Sequence, residues 1–274
     1  MGNKRKQNKL SLLSFNTLGT PFFAPYITKR YRKTAQLINS GNFDIICLQE
    51  IFTYYHFYLF KKKLTNYPYA IYQKNPFGPR GGLVIFSKLP LSNLEFVSFS
   101  YPPKTFIPIY TRLAQQGILS AQIEDFSIRI ATTHLSSDTI HNLTPKNKLY
   151  YLIKSQSQEV ATVINRYAQE QSLILAGDFN IAKKSALYQE FLHKAQANDV
   201  FANDEKPTYF PDRVSYFYRA PADRCDYIFY KTRQKRIAVR SSGYEFVKDE
   251  TLSNNKKSYL SDHIGLHCIL EVND

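Results

Sequence analysis

Short apolar runs, most of them ended by a polar residue, alternate along the chain with stretches of helical spacing. Residues 10–15 read as a strand that stops at Asn16. Over residues 27–39, Ile27, Tyr31, Thr34, Ala35 and Ile38 recur at helical spacing, and Gly41 is a good C-terminal stop. Residues 43–48 form a second buried run, tipped by Gln49 and Glu50. Phe57, Phe60 and Leu64 predict a short helix with Lys61, Lys62 and Lys63 outward. Residues 69–72 and 82–87 read as strands across a Gly/Pro loop at 76–81. Residues 117–123 and 126–133 alternate around Glu124 and Asp125 as a hairpin does, and the second strand ends at His134. Val160, Val163, Ile164 and Tyr167 make an amphipathic helix, with Ser155 or Ser157 as its cap. Leu187, Phe191, Leu192 and Ala195 give another, with Ser185 before it. Strands at 226–230, 237–246 and 265–272 complete the pattern.

The most telling run is Leu173, Ile174, Leu175 and Ala176, closed by Gly177 and followed by Asp178 and Asn180. Such a run is a short, fully buried strand. At a period of two, Asp178 and Asn180 point the same way at its tip. The competing reading is an Asx-turn in which both side chains bond nearby backbone. No internal repeat, low-complexity tract or long linker divides the chain. A flexible basic N-terminus at 1–9 and a single domain at 10–274 are expected. Many strands with interspersed helices indicate one α/β domain, and short hairpins favour mixed or antiparallel sheets.

Charge narrows the partners. The 36 Lys and Arg outnumber the 22 Asp and Glu, giving a net charge of +14. That balance favours polyanions such as nucleic acid, an anionic membrane or phosphorylated molecules; the alternative is compositional drift towards lysine. The 43% of hydrophobic residues and 15% of aromatics allow a sizeable core. Cys47, Cys225 and Cys268 are odd in number, lack zinc spacing and lie in apolar segments, as buried reduced thiols do. The cationic start is followed by too few apolar residues for a signal segment, and Lys6 stands where a myristoylation motif needs Ser or Thr. No apolar run approaches a transmembrane span. A soluble, cytoplasmic monomer is expected, with peripheral membrane contact as a further expectation.

The strand ends carry the chemistry. Asn16, Glu50, His134, Asp178, Asn180 and Asp226 each follow or begin an apolar run, and Ser261, Asp262 and His263 precede the last one. Gathered at one rim, these residues form an oxygen-rich set free of cysteine. Hard oxygen ligands suit Mg2+ or Mn2+ and leave positions open for phosphate oxygens.

The residues just named sit in short motifs. These are Ser14 to Leu18, Cys47 to Glu50, Gly81 to Lys88, Thr133 to Leu135, Gly177 to Asn180, Arg224 to Phe229 and Ser261 to His263. In that order, and spanning almost the whole chain, they resemble the endonuclease/exonuclease/phosphatase superfamily, the fold of DNase I, exonuclease III, inositol-polyphosphate phosphatases and neutral sphingomyelinases. The resemblance implies a DNase I-like α/β (α+β) four-layer sandwich, with two mainly antiparallel β-sheets face to face and helices outside. It also implies a Mg2+-dependent phosphodiester hydrolase, for which Mn2+ substitutes, working by in-line attack of water on phosphorus. Glu50 would be the principal metal ligand, with Asn16 and Asp262 beside it. Asp178 would orient or deprotonate the water, and Asn180 would hold that water or a phosphoryl oxygen. His263, oriented by Asp226, would contact the phosphate or act as a base, and His134 would donate to a non-bridging oxygen. His56, His141, His193 and His267 match no motif and read as structural or exposed.

Substrate class is less sharply written. Residues 48–52, 81–90 and 116–121 are most similar to the sphingomyelinase-like branch, although that branch usually has Lys where this chain has Gln116. The tryptophan-rich segment of abasic-site endonucleases is missing, since the chain has no Trp. A lipid headgroup is therefore the first expectation and DNA or RNA the alternative. A phosphomonoesterase or an inactive polyanion-binding relative ranks below both. The aromatic-rich segments 53–60 and 101–110 could cover the core, dip into a lipid interface or stack on bases. The second, with three prolines, reads as a loop. An aromatic-tipped hairpin beside the site mouth would favour membranes, and a wide basic groove would favour nucleic acid.

Overall fold

Strand β1 (Lys9–Asn16) shows how the molecule is layered. Leu10 and Leu12 project from one of its faces and Leu13 and Phe15 from the other, and all four are buried. A strand buried on both faces needs a layer on each side. The computed structural model describes residues 8–20, 24–101, 106–137, 143–214, 221–233 and 236–273. Most of the N-terminal basic segment, His141 and part of the 101–110 segment thus lie outside the described residues.

One sheet runs β11 (Arg236–Glu245), β14 (Gly265–Asn273), β1, β2 (Ile45–Gln49), β4 (Val84–Ser87), β3 (Tyr69–Ile71). The other runs β5 (Leu91–Ser98), β6 (Gly117–Ile123), β7 (Ile128–His134), β8 (Leu173–Asp178), β10 (Asp226–Lys231), β9 (Asn198–Asp199). A short β12–β13 pair (Glu250–Thr251 with Lys257–Ser258) stands apart. Leu10, Leu12, Ile45 and Ile85 of the first sheet meet Ile128, Ile130, Ile174 and Ile228 of the second in the central core. Helices α1 (Ile27–Ser40) and α2 (Tyr54–Lys63) cover the first sheet through Tyr31, Ala35, Phe57 and Phe60. Helices α4 (Tyr150–Ala168) and α5 (Ala186–Ala195) cover the second through Val160, Ile164, Leu187 and Phe191. The result is the expected four-layer sandwich.

Each sheet contains one parallel pair, β1 with β2 and β7 with β8. Helix α1 makes the first crossover and α4 the second, as parallel neighbours require. The flanking pairs are all antiparallel, so the two sheets repeat one pairing scheme although the sequence shows no repeat. Both parallel pairs point their C-terminal ends to the same end of the sandwich. Across the interior below that end, Gln49 Nε2 donates to Thr132 Oγ1 of the facing sheet at 3.1 Å.

Several local expectations need correction. Helix α4 begins at Tyr150, so Ser155 and Ser157 lie inside it and cap nothing; it starts without a side-chain cap. By contrast Ser185 does cap α5, accepting from the Tyr188 amide at 3.3 Å. Strand β5 escaped the pattern because its residues are only partly buried and interrupted by Asn93 at φ +48°. In the 101–110 segment, residues 106–108 are loop as expected, and only Ile109 and Tyr110 enter a helix, α3 (Ile109–Ala114). Strands β6 and β7 do not alternate between core and solvent, since nearly every residue of both is buried.

Candidate active site

The strand tips converge as the pattern required. Asn16 ends β1, Glu50 follows β2, His134 ends β7, Asp178 ends β8 and Asp226 opens β10 beside it. Asp262 and His263 lie just before β14. Asp178 is the hub. Its Oδ2 accepts from Asn16 Nδ2 at 2.9 Å and lies 3.7 Å from His134 Nε2 and 3.6 Å from His263 Nε2. His263 Nδ1 lies 2.8 Å from Asp226 Oδ2, and its Nε2 lies 4.0 Å from Asp262 Oδ1. Asn16 Nδ2 also reaches Glu50 Oε1 at 3.0 Å. Seven of the eight residues singled out from the sequence therefore occupy one site drawn from both sheets, and the eighth, Asn180, adjoins it through the Asp178 turn.

Local backbone explains the presentation. Gly177 lets β8 press against β7, because a Cβ there would overlap the Thr133 carbonyl. The Asx-turn reading of the next residues also holds: Asp178 Oδ1 accepts from the Asn180 amide at 2.8 Å. Asn180 thereby leaves the strand at φ +49°, so the two side chains do not share a strand face. Its Nδ2 donates to the Leu135 carbonyl at 3.0 Å, next to His134. One carboxylate thus shapes the turn with one oxygen and serves the site with the other. Glu50 takes a left-handed φ of +66°, an uncommon state for a residue with a side chain. It is held there because Oε2 accepts from the Gly19 amide at 3.1 Å and Thr20 Oγ1 at 3.0 Å, while its carbonyl accepts from Tyr31.

Charge is concentrated and buried. Burial, then the neighbouring Asp226, raises Asp178 above the usual carboxylate range, with both histidines opposing. Burial disfavours a charged His263, but Asp226 and Asp178 outweigh it and hold the imidazole well above its ordinary value. The pair therefore keeps a proton on the imidazole. Burial lifts Asp262 from 3.8 to about 6; His263 opposes this and Glu50 adds to it.

Two groups were not anticipated. Arg30 is fully buried beneath the site. Its guanidinium donates to the carbonyls of Pro25 (2.9 Å), Thr17 (2.9 Å), Leu260 (2.5 Å) and Leu18 (2.6 Å). It acts on Asp262 and Glu50 through space. It falls in none of the motifs, and nothing local in the sequence marks it as buried. Cys225 corrects the expectation of a cysteine-free set, because its Sγ lies with Asp178 and His263 in a cluster within 4.8 Å. Burial, then Asp178 and Asp226, pushes that thiol well above its ordinary value, so it stays neutral and is a poor ligand. The other cysteines are buried and free as expected. His56 packs against Tyr31, His193 is exposed and His267 pairs with Glu245, all away from the eight. Gln116, at the departure from the sphingomyelinase-like pattern, accepts from Ser136 Oγ at 2.7 Å and Gln156 Nε2 at 3.2 Å, bracing the segment after His134.

The donor set fits a hard divalent cation. Glu50, Asp262 and Asn16 offer oxygens at the rim, and a buried Asp262 that titrates high is a carboxylate in want of positive charge. Asn16 Oδ1 already accepts from the Leu18 amide at 3.0 Å and keeps one lone pair.

Comparisons with known proteins agree with this geometry. Residues 13–263 match the profile described as the Endonuclease/Exonuclease/phosphatase family. Inositol phosphosphingolipids phospholipase C of Schizosaccharomyces pombe is 26% identical over 77% of this chain and 49% of its own length. Sphingomyelin phosphodiesterase 2 of Homo sapiens is 26% identical over 96% of this chain and 65% of its own. The chain thus spans about half to two thirds of these relatives. D. rerio TDP2 complexed with a single-strand DNA product superposes with a TM-score of 0.72 at 17% identity, covering 97% of this chain and 100% of that one. Sphingomyelinase C from Streptomyces griseocarneus gives 0.66 at 16%, covering 98% and 100%. These two structures establish the shared fold.

Proposed function

The chain belongs to the endonuclease/exonuclease/phosphatase family, and from that premise we propose that it is a divalent-metal-dependent phosphodiester hydrolase acting on a lipid headgroup. The observation that carries the chemistry is Asp178 Oδ2, set within 2.9–3.7 Å of Asn16, His134 and His263 at a rim built by two sheets. Glu50, Asn16 and Asp262 would hold Mg2+, or Mn2+ in its place. When bound, such an ion supplies positive charge to the phosphoryl oxygens.

The protein's own groups do the rest. Asp178 takes up or orients the proton of the attacking water, and two nearby imidazoles offset the charge it holds. Asn180 braces that water or a phosphoryl oxygen. His263 stays protonated because Asp226 fixes its Nδ1, so its Nε2 can donate to phosphate. His134 adds a second donor as charge builds on the non-bridging oxygens; its Nδ1 has no hydrogen-bond partner among the described residues. Arg30 keeps Glu50 and Asp262 beside a fixed positive charge without occupying either.

The lipid reading draws on the sequence relatives, whose names are those of phospholipase C and sphingomyelin phosphodiesterase enzymes. The net charge of +14 favours a second reading, a nuclease. A panel of sphingomyelin, inositol phosphosphingolipid, plasmid DNA and single-stranded RNA, each with Mg2+ or EDTA, separates the two. Headgroup release that EDTA abolishes is expected. Degradation of nucleic acid with intact lipid would move the assignment to a nuclease, and no turnover of any of them would reject both.

A further inference from the structure

We infer that the protein docks on anionic lipid bilayers through an apolar rim beside the site mouth, formed by Phe77, Phe106, Ile109 and Leu113. The inference deepens the lipid-headgroup reading and rests on it for its purpose, though not for its test. These side chains are 71%, 53%, 76% and 58% exposed, values far from those of core residues. Ile109 and Leu113 are four apart on α3, so they share its outward side. Thr111, on the inward side, is buried against Ser136 Oγ at 3.2 Å. Phe77 tips a tight turn closed by the Asn75 amide on the Gly78 carbonyl at 3.1 Å and by the Lys74–Pro79 bridge. Asn75 Nδ2 then donates to the Leu113 carbonyl at 3.2 Å, which ties the turn to the helix. An aromatic-tipped turn and a two-residue aliphatic ridge therefore form one rigid edge.

That edge is joined to the site. Tyr110 donates to the Ser137 carbonyl at 2.8 Å, three residues beyond His134. The Tyr54 amide donates to the Phe77 carbonyl at 3.2 Å, four residues beyond Glu50. A surface that received the edge would therefore lie across the mouth of the site. Charge identifies the surface. Residues 53–115 contain eight Lys or Arg and a single acid, Glu95, which is already paired with Arg166. Lys74 and Arg112 are exposed within the edge itself. Apolar side chains rimmed by cations match the boundary between acyl chains and anionic headgroups. Unpaired bases would be a poorer match, because stacking needs aromatic faces and Ile109 and Leu113 have none.

The test uses sedimentation of metal-free protein in EDTA, so that binding is read without turnover. Vesicles of phosphatidylcholine alone are compared with vesicles containing 20% phosphatidylserine. Wild type should bind the anionic vesicles, and a combined Phe77→Ser, Ile109→Ser variant should lose at least about tenfold in partitioning. Lys74→Glu with Arg112→Glu should lower binding only where phosphatidylserine is present. All these positions are on the surface, so unfolding temperatures should match wild type. Binding here, with no headgroup release when Mg2+ is supplied in the substrate panel, would leave docking standing and remove the substrate reading. Wild type that ignores anionic vesicles, a Phe77→Ser, Ile109→Ser variant that binds as well as wild type, or a loss of single-stranded RNA binding in its place would overturn the inference.

Discussion

Replacing Arg30 by Met would test whether a cation that touches no substrate supports the site. The substitution keeps an unbranched apolar stem and leaves the Thr17, Leu18, Pro25 and Leu260 carbonyls without their donor. Hydrogen bonds from a charged group are worth about 1.5–3 kcal/mol each, but water admitted to the gap restores part of that. Removing one member of a buried ionic network typically destabilises by about 3–5 kcal/mol, and that is the loss expected here. Glu50 and Asp262 also lose their buried positive neighbour, so Asp262, already lifted to about 6, should titrate higher still. Urea unfolding followed by far-ultraviolet circular dichroism gives the stability term, and the acid limb of the hydrolysis profile gives the electrostatic one. The limb should move to higher pH. Arg30→Lys restores charge but cannot reach four carbonyls with a fork, so it should recover the limb better than the stability. A loss under about 1 kcal/mol with an unmoved acid limb would refute this account of Arg30.

Other outcomes follow from the same geometry. Glu50→Gln should abolish the Mg2+-induced rise in melting temperature and slow hydrolysis by at least about a hundredfold; an unchanged thermal shift would remove Glu50 from the ion site. Because the folded value of Asp262 is raised, its contribution to metal-free stability is full below 3.8 and lost as pH rises through about 6. A bound cation reverses that, so Mg2+ should raise the melting temperature more at pH 7.5 than at pH 5, and an equal rise at both would count against it. Asp226→Asn removes the main support for a charged His263 and should cut the rate by about 10²–10⁴-fold while lowering the imidazole's titration in NMR. Gly177→Ala sets a methyl on the Thr133 carbonyl and should destabilise by several kcal/mol, about 2–4, in calorimetry.

Strand tips were legible in the sequence because a buried run that stops or starts at a carboxylate, amide or imidazole is a local signal. That is how Asn16, Glu50, His134, Asp178 and Asp226 could be collected before any contact between them was known. Arg30 was not legible, since its partners are main-chain carbonyls as far away as Leu260 and main chain carries no letter. Cys225 was read correctly as a buried thiol, yet its place behind His263 depends on the register of β10 against β8. The conformation after Asp178 stayed open for a physical reason: a carboxylate has two oxygens, and here each satisfies one of the competing readings. The early start of α4 was hidden because no capping side chain marks it, whereas Ser155 and Ser157, inside the helix, offered false ones.

The hydrogen bond from Asn16 to Asp178 runs from one sheet to the other, and the one from His263 to Asp226 runs from the segment leading into β14 of the first sheet to β10 of the second. Neither half of the protein owns a complete set of groups, whatever the integrity of its own strands. Mild denaturant or pressure that lets the layers slide should silence turnover while spectra still report native strand content. Activity would then serve as a gauge of how closely the two halves stay in apposition, more sensitive than any probe of folding within either one.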